Sequence, residues 1–254
     1  MIPNRVIYGA GKLHHLPTIV ARQNLIEVAY NVGFRSFDVA PSYGNGINEL
    51  EIGIALRKKR HTCELNTKFG IPIEIYGSWT RYCFSLRRLV DKVSGSSANA
   101  YQRRVFSAQE LESSLDHSLR RLQTDFIDTL FVHEPLSAIS PKQLDEMFES
   151  SQRMKQRGKI RAFGIAGRIE SIHHCSSIEV FDVIQLPYAD FKRTNTNFIN
   201  KRVNLYEVYQ AYKGQQGAPN FARYVKTALG SHSNMSVILS SNSVRTVRSF
   251  DEIF

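Results

Sequence analysis

Cysteine is scarce: Cys63, Cys83 and Cys175 are the only three in 254 residues. They form no Cys-x-x-Cys pair and are too scattered for a disulfide framework, so the small cross-linked folds are excluded and a reducing, cytoplasmic setting is expected. No apolar run approaches the ~18 residues that a membrane span needs. The opening Met1-Ile2-Pro3-Asn4-Arg5 leads into no signal-peptide core, so neither secretion nor membrane insertion is expected. Long runs of one charge are missing as well. The net charge is +10, yet the densest basic stretch is Arg57-Lys58-Lys59-Arg60, which follows a helical pattern. No nucleic-acid recognition motif accompanies it, so nucleic acid is not the expected partner. The positive excess suits an anionic partner such as a phosphate-bearing cofactor.

What remains is ordinary globular material, 42% hydrophobic and 22% charged, enough for a single core without staples. Short apolar runs that read as buried strands recur along it. They are Val6-Ile7-Tyr8, Ser36-Phe37-Asp38, Leu65 to Lys68, Ile127 to Val132, Ala162 to Ile165, Val183 to Gln185, Val203 to Tyr206 and Val237 to Leu239. Between them lie segments of 3.6-residue periodicity. Leu25, Ile26, Ala29 and Val32 mark one; Ser107 to Glu110 opens another as a capping box before Leu111, Leu115, Leu119 and Leu122. Pro141 starts a third that stops at Gly158, and Phe221, Val225 and Leu229 mark a late one ending at Gly230. Strands alternating with helices imply a parallel sheet. Eight such units in a chain of this length predict a (β/α)8 TIM barrel over residues 1–254, with a doubly wound sheet as the competing arrangement.

One stretch breaks the alternation. Residues 69–106 hold no clean helix, contain the flexible Ser94-Gly95-Ser96-Ser97, and read as a long loop insertion after the third strand. A connection of that length is often a lid or binding loop. It carries the only tryptophan, Trp79, with Arg81, Tyr82, Arg87, Arg88, Arg103 and Arg104.

In a barrel the working face is the C-terminal rim, which draws attention to polar residues ending the strands. Asp38, Lys68 and His133 each end one, and Tyr43 follows the second strand in the turn-rich Pro41-Ser42-Tyr43-Gly44. A tyrosine with pKa ~10 trades protons poorly at neutral pH. A nearby ammonium favours its phenolate, a carboxylate holds that ammonium, and a histidine orients a carbonyl oxygen. The set suits protonation of a developing alkoxide, with a nicotinamide cofactor carrying the hydride.

These residues resemble the aldo-keto reductases. The similarity lies in Gly33 to Gly44 with its Asp and Tyr, in Asn48 to Leu56 with its glutamates, and in Thr67-Lys68-Phe69-Gly70. It continues through Ser118 to Leu122, Asp125 to Asp128 and His133, then Gly158 to Ile165 and Gln185. The resemblance implies NAD(P)H-dependent interconversion of a small-molecule carbonyl and an alcohol, possibly sugar-like, with NADP(H) favoured over NAD(H). Tyr43 would donate the proton, Lys68 and Asp38 would tune it, and His133 would orient the carbonyl. Gln185 would contact the nicotinamide carboxamide and Tyr206 would stack on its ring. The Gly9-Ala10-Gly11 turn, Ala10 included, would lie near the cofactor as the first loop, and Ser240, Ser241, Asn242 and Arg245, with Arg248, would grip the adenosine phosphate. Departures are visible too: Ala166-Gly167, at the implied cofactor-binding position after the fifth strand, stands where many members have Ser-Asn, and Leu239-Ser240 where Pro-Gly or Pro-Lys is usual. With Phe254 closing the sequence, the resemblance also implies a pocket that is open or closed by the stretch around Trp79. A catalytically weak nicotinamide-binding sensor or subunit of the same fold is the alternative, and the sequence leaves oligomeric state open.

Three further patterns read as decoys. Tyr209-Gln210-Ala211-Tyr212-Lys213 holds a Tyr-x-x-x-Lys with no glycine-rich dinucleotide loop to match it, since Gly9-Ala10-Gly11 is followed by His14 where a third glycine belongs and by no clear helix. His14-His15 and His173-His174-Cys175 lack the further ligands of a tetrahedral set, so no metal site is expected.

Overall fold

The computed structural model describes residues 5–73, 103–194, 198, 201–208, 212, 220–230 and 233–254. Eight strands, β1 Val6–Gly9, β2 Ser36–Asp38, β3 Glu64–Phe69, β4 Ile127–His133, β5 Ile160–Ala166, β6 Val183–Pro187, β7 Arg202–Tyr206 and β8 Met235–Leu239, form a closed barrel in sequence order. All neighbouring pairs are parallel, and β1 closes the ring by pairing Val6 with Val237 and Tyr8 with Leu239. Each expected strand is present, usually one or two residues longer than its apolar run. The doubly wound alternative is excluded by closure.

Helices pack outside: α1 Ile19–Val32, α2 Ile47–Leu56, α3 Ala108–Leu122, α4 Pro141–Gln156, α5 Ile169–Ile172, α6 Tyr188–Arg193, α7 Phe221–Gly230 and α8 Val244–Arg248. Successive strand residues point to opposite faces, and this parity divides the molecule. Tyr8, Phe37, Leu65, Leu130, Phe163, Ile184, Leu205 and Val237 join the large buried core. Alternate residues turn into the barrel, where Phe131, Ala162, Ala166 and Val183 form a separate apolar plug. Strands buried on both faces read as near-continuous apolar runs, which is why they were legible.

Helix ends follow local chemistry. Ser107 Oγ accepts from the Glu110 amide at 3.1 Å, so half of the expected capping box is made. The complete box lies instead at α4, where Ser140 and Gln143 exchange backbone-to-side-chain bonds of 3.3 and 3.2 Å just ahead of Pro141. Gly158, with φ of 69°, supplies the left-handed turn that follows α4. After β1, where no helix was expected, Ala10–His15 forms a 3-10 turn. The basic stretch Arg57–Thr62 is also 3-10.

The roots of the insertion meet: the Val105 amide donates to Gly70 O at 2.9 Å, and the Phe69 and Phe106 rings pack edge to face at 6.3 Å. Trp79, Arg81, Tyr82, Arg87 and Arg88 lie outside the described residues, as do Tyr209 and Lys213 of the Tyr-x-x-x-Lys pattern. No helix among the described residues is long and apolar enough to cross a membrane. Among them, too, no group of three or more His, Cys, Asp or Glu side chains could hold a metal. Cys63 and Cys175 are free and buried, and burial pushes the Cys175 thiol up to about 12.

Candidate active site

Inward parity carries Gly9, Asp38, Lys68, His133, Ala166, Gln185, Tyr206 and Ser240 to the C-terminal mouth of the barrel, each at or just beyond the end of its strand. They line a cleft of about 500 Å3, to which the loops add Gly11, Tyr43, Glu134 and Gly167. The four residues proposed from sequence for chemistry are therefore neighbours in space, although they span residues 38 to 133.

Lys68 and Asp38 form its buried centre. Lys68 Nζ lies 2.6 Å from Asp38 Oδ2 and 3.0 Å from the Val39 carbonyl. Burial pushes the Asp38 carboxyl up, against the charge and hydrogen bond of Lys68 and the weaker hold of Gln185, whose Nε2 is 3.5 Å from Oδ2. Lys68 Nζ also stands 5.1 Å from the centroid of the Tyr43 ring. That ring meets His133 edge to face, with centroids 5.8 Å apart and planes at 83°. Burial, followed by the charges of Lys68 and Arg104, holds the His133 imidazole well below its ordinary range. It is thus neutral at neutral pH, with one N–H to donate. Burial raises the Tyr206 phenol, and Glu134 and Glu207 nearby add to the effect, so this hydroxyl stays protonated.

Of the residues proposed to hold a cofactor, Ala166, Gly167, Gln185, Tyr206 and Ser240 line the cleft. Ala10 does not: its methyl is fully buried in the core and its carbonyl accepts from Asn48 Nδ2 at 2.7 Å, leaving Gly9 and Gly11 to face the cleft. Ser241, Asn242 and Arg245 lie beyond it. The Ser241 carbonyl accepts from the Tyr8 hydroxyl at 2.9 Å and its Oγ from the Ser243 amide at 3.0 Å, whereas Asn242 and Arg245 are exposed. The Thr246 amide at the start of α8 is already capped by Ser243 Oγ.

One feature fits a nicotinamide. Gln185 Oε1 is buried without a hydrogen-bond partner among the described residues, as an acceptor awaiting a carboxamide N–H would be. At Gly9 a Cβ would stand 2.0 Å from Ser240 Oγ and 2.8 Å from Ile238 Cγ2, so the missing side chain lets the end of β8 pack against β1. At Gly167 a Cβ would come within 3.0 Å of Ser171 Cβ, so the glycine lets the start of α5 pack close, while Glu134 Cα at 3.4 Å would be in ordinary contact. Gly9 and Gly11 belong to the turn expected near the cofactor, whereas Ile238 and Glu134 were not singled out from sequence for this site. The only available signal for Glu134 was its place directly after a strand-ending histidine.

A sequence model described as the Aldo/keto reductase family matches residues 5–211. The chain is similar to the L-galactose dehydrogenase of Arabidopsis thaliana, 26% identical over 163 residues that make up 63% of this chain and 43% of that protein. It spans less than half the length of the first curated relatives it matches. In three dimensions it resembles a putative aldo-keto reductase of Pseudomonas aeruginosa, with a TM-score of 0.67 at 17% identity, covering 98% of this chain and 88% of that one. An aldo-keto reductase of Klebsiella pneumoniae in complex with NADPH matches at a TM-score of 0.62 and 17% identity, over 98% and 84% of the two chains.

Proposed function

The chain belongs to the aldo/keto reductase family, and from that premise we propose that its C-terminal cleft interconverts a small carbonyl compound and the corresponding alcohol. The observation that carries this reading is the contact chain from Asp38 through Lys68 to the Tyr43 ring, with His133 against the same ring. Gln185 and Tyr206 would hold a nicotinamide cofactor, which would supply the hydride or, in the reverse direction, accept one.

The protein's own part is to place and move a proton. His133, neutral by burial, donates its N–H to the carbonyl oxygen and holds it beside the Tyr43 hydroxyl. Tyr43 gives its proton to the alkoxide as negative charge develops there. The Lys68 ammonium stabilises the phenolate left behind, and Asp38 keeps that ammonium in place. Preorganised charges such as the buried Lys68–Asp38 pair need little rearrangement as the reaction proceeds.

NADP(H) is the preferred cofactor in this reading. It is supported by the exposed Arg245 and Arg248 on α8 and by the NADPH-bound relative from Klebsiella. The reading is tested with Tyr43→Phe. Turnover of aldehydes with NADPH should fall by roughly a hundredfold to ten-thousandfold, while NADPH affinity, followed by fluorescence, stays within a factor of about three. A wild-type chain that binds NADPH yet turns over no carbonyl would favour a nicotinamide-binding sensor instead.

A further inference from the structure

The connection directly after His133 is strained at the edge of the cleft. Glu134 adopts φ of 46°, the left-handed region that disfavours a side-chain-bearing residue. Of the four non-glycine residues with positive φ among the described ones, three follow cleft residues within two positions: Asn45 after Tyr43, Glu134 after His133, and Glu207 after Tyr206. Such strain gathers where side chains must be aimed. At Glu134 the aim is enforced from both sides. Its amide donates to Ala166 O at 2.7 Å, and its carbonyl accepts from Arg104 Nε at 3.0 Å.

The side chain so placed lines the cleft with 47% of its surface exposed, 3.8 Å from an Arg104 nitrogen that is itself mostly buried. A half-exposed ion pair at that distance contributes little to stability, so pairing with Arg104 does not explain why an acidic residue occupies a strained position. The charges of the cleft come in pairs, Lys68 with Asp38 and Glu134 with Arg104. A cationic substrate would meet Lys68 beside the reacting phenol. An anionic one would meet the half-exposed Glu134 carboxylate first. An uncharged compound bearing a hydroxyl finds in Glu134 a strong acceptor.

Resting on the oxidoreductase reading above, we propose that Glu134 is the specificity-determining residue of the cleft: it turns away carbonyl compounds that carry an anionic group and accepts a hydrogen bond from neutral hydroxylated ones. Two aldehydes of equal size test this, para-(hydroxymethyl)benzaldehyde and para-formylbenzoate, each assayed with NADPH and with NADH. The wild-type chain should prefer the neutral aldehyde. Glu134→Gln, which keeps the shape and removes the charge, should shift the kcat/KM ratio toward para-formylbenzoate by roughly tenfold, the worth of one nearby charge in a partly solvated site. Glu134→Gly, which relieves the left-handed strain, should give the same shift with a melting temperature no lower than wild type. Wild-type turnover with a ratio unchanged in both variants would overturn the assignment of Glu134 and leave the oxidoreductase reading standing. No wild-type turnover of either aldehyde with either cofactor would overturn that reading and this proposal together.

Discussion

The two mouths of the barrel are made by the same strands and the same inward parity, yet they differ in kind. The N-terminal mouth opens a cleft of about 640 Å3 lined by Arg5, Ser36, Glu64, Asn66, Thr129, Arg202, Asn204 and Ser236, as polar as its counterpart. There Glu64 accepts a hydrogen bond from Ser36 and faces the charge of Arg202, but among the described residues no ammonium, phenol and imidazole converge. Thr129 and Asn204, only 3% and 7% exposed, make no side-chain hydrogen bond to the described residues, and Asn66 reaches Ser36 at 3.2 Å. The Arg5 guanidinium is spent on the carbonyls of Met235 and Leu229. At the C-terminal mouth the groups meet: an ammonium on a carboxylate at 2.6 Å, an imidazole held neutral, and strained turns that deliver Tyr43 and Glu134 from the loops. Polarity inside a barrel is thus no mark of chemistry. Convergence is, and it arises where the strand-to-helix loops add their side chains to the strand ends.

This contrast can be broken by substitution. The largest effect is expected at Lys68→Met, which removes the cation between Asp38 and Tyr43. Turnover should fall by roughly a hundredfold or more, and thermal unfolding should show a loss of about 3 kcal/mol from leaving the buried Asp38 carboxyl without its partner. A folded Lys68→Met protein with more than a tenth of wild-type kcat would undo the proposed role of the pair.

An intermediate effect concerns pH and His133. Its native pKa is depressed below the ordinary 6.5, so in acid the unfolded chain binds a proton that the native one refuses. Stability contributed by the neutral imidazole is complete above about 6.5 and is lost as pH falls toward the native value, by ~1.4 kcal/mol per unit while one proton separates the states. Melting curves recorded from pH 7 downward should show this slope in the wild type and a shallower one in His133→Gln. Equal slopes would mean that the imidazole is not held neutral. Asp38, raised by burial, works in the opposite sense: its share favours the folded state in acid and is lost as pH rises through its native value.

The smallest effect belongs at the other mouth. Thr129→Val replaces a hydroxyl that bonds no described residue with a methyl of equal size, so stability should change by less than ~1 kcal/mol, within about 4 °C in melting temperature. The kcat/KM for any reduced carbonyl should be unchanged. A tenfold loss of activity there would show that the two ends of the barrel are coupled.

Much of this architecture could be read in advance, for identifiable reasons. Most of the strands were visible because both their faces are largely buried, which leaves runs such as Leu130-Phe131-Val132 without polar interruption. Asp38, Lys68 and His133 stood out as polar residues closing apolar runs. The 3-10 turn at Ala10–His15 escaped notice because six residues carry no helical apolar period. The capping box at Ser140 was overshadowed by the stronger signal of Pro141. The Gly9 turn could be placed near the cofactor, but its close packing on Ser240 could not be read from sequence, since Ser240 lies across the β1–β8 closure. Nor could Ala10 be placed in the core by its neighbours in the chain, because it takes its position from Asn48 on α2.

The amino-acid order alone determined the alternation of strand and helix, and with it which residues of each strand face inward, because side-chain direction in a strand is a local property of the backbone. Ring closure decided the remainder. The approach of Gln185 to Asp38 across 147 positions of chain, the meeting of the Tyr43 and His133 rings and the strained aim of Glu134 depend on distances between separate elements. Local preference cannot encode those distances, and only the packed barrel brings the atoms within reach of one another.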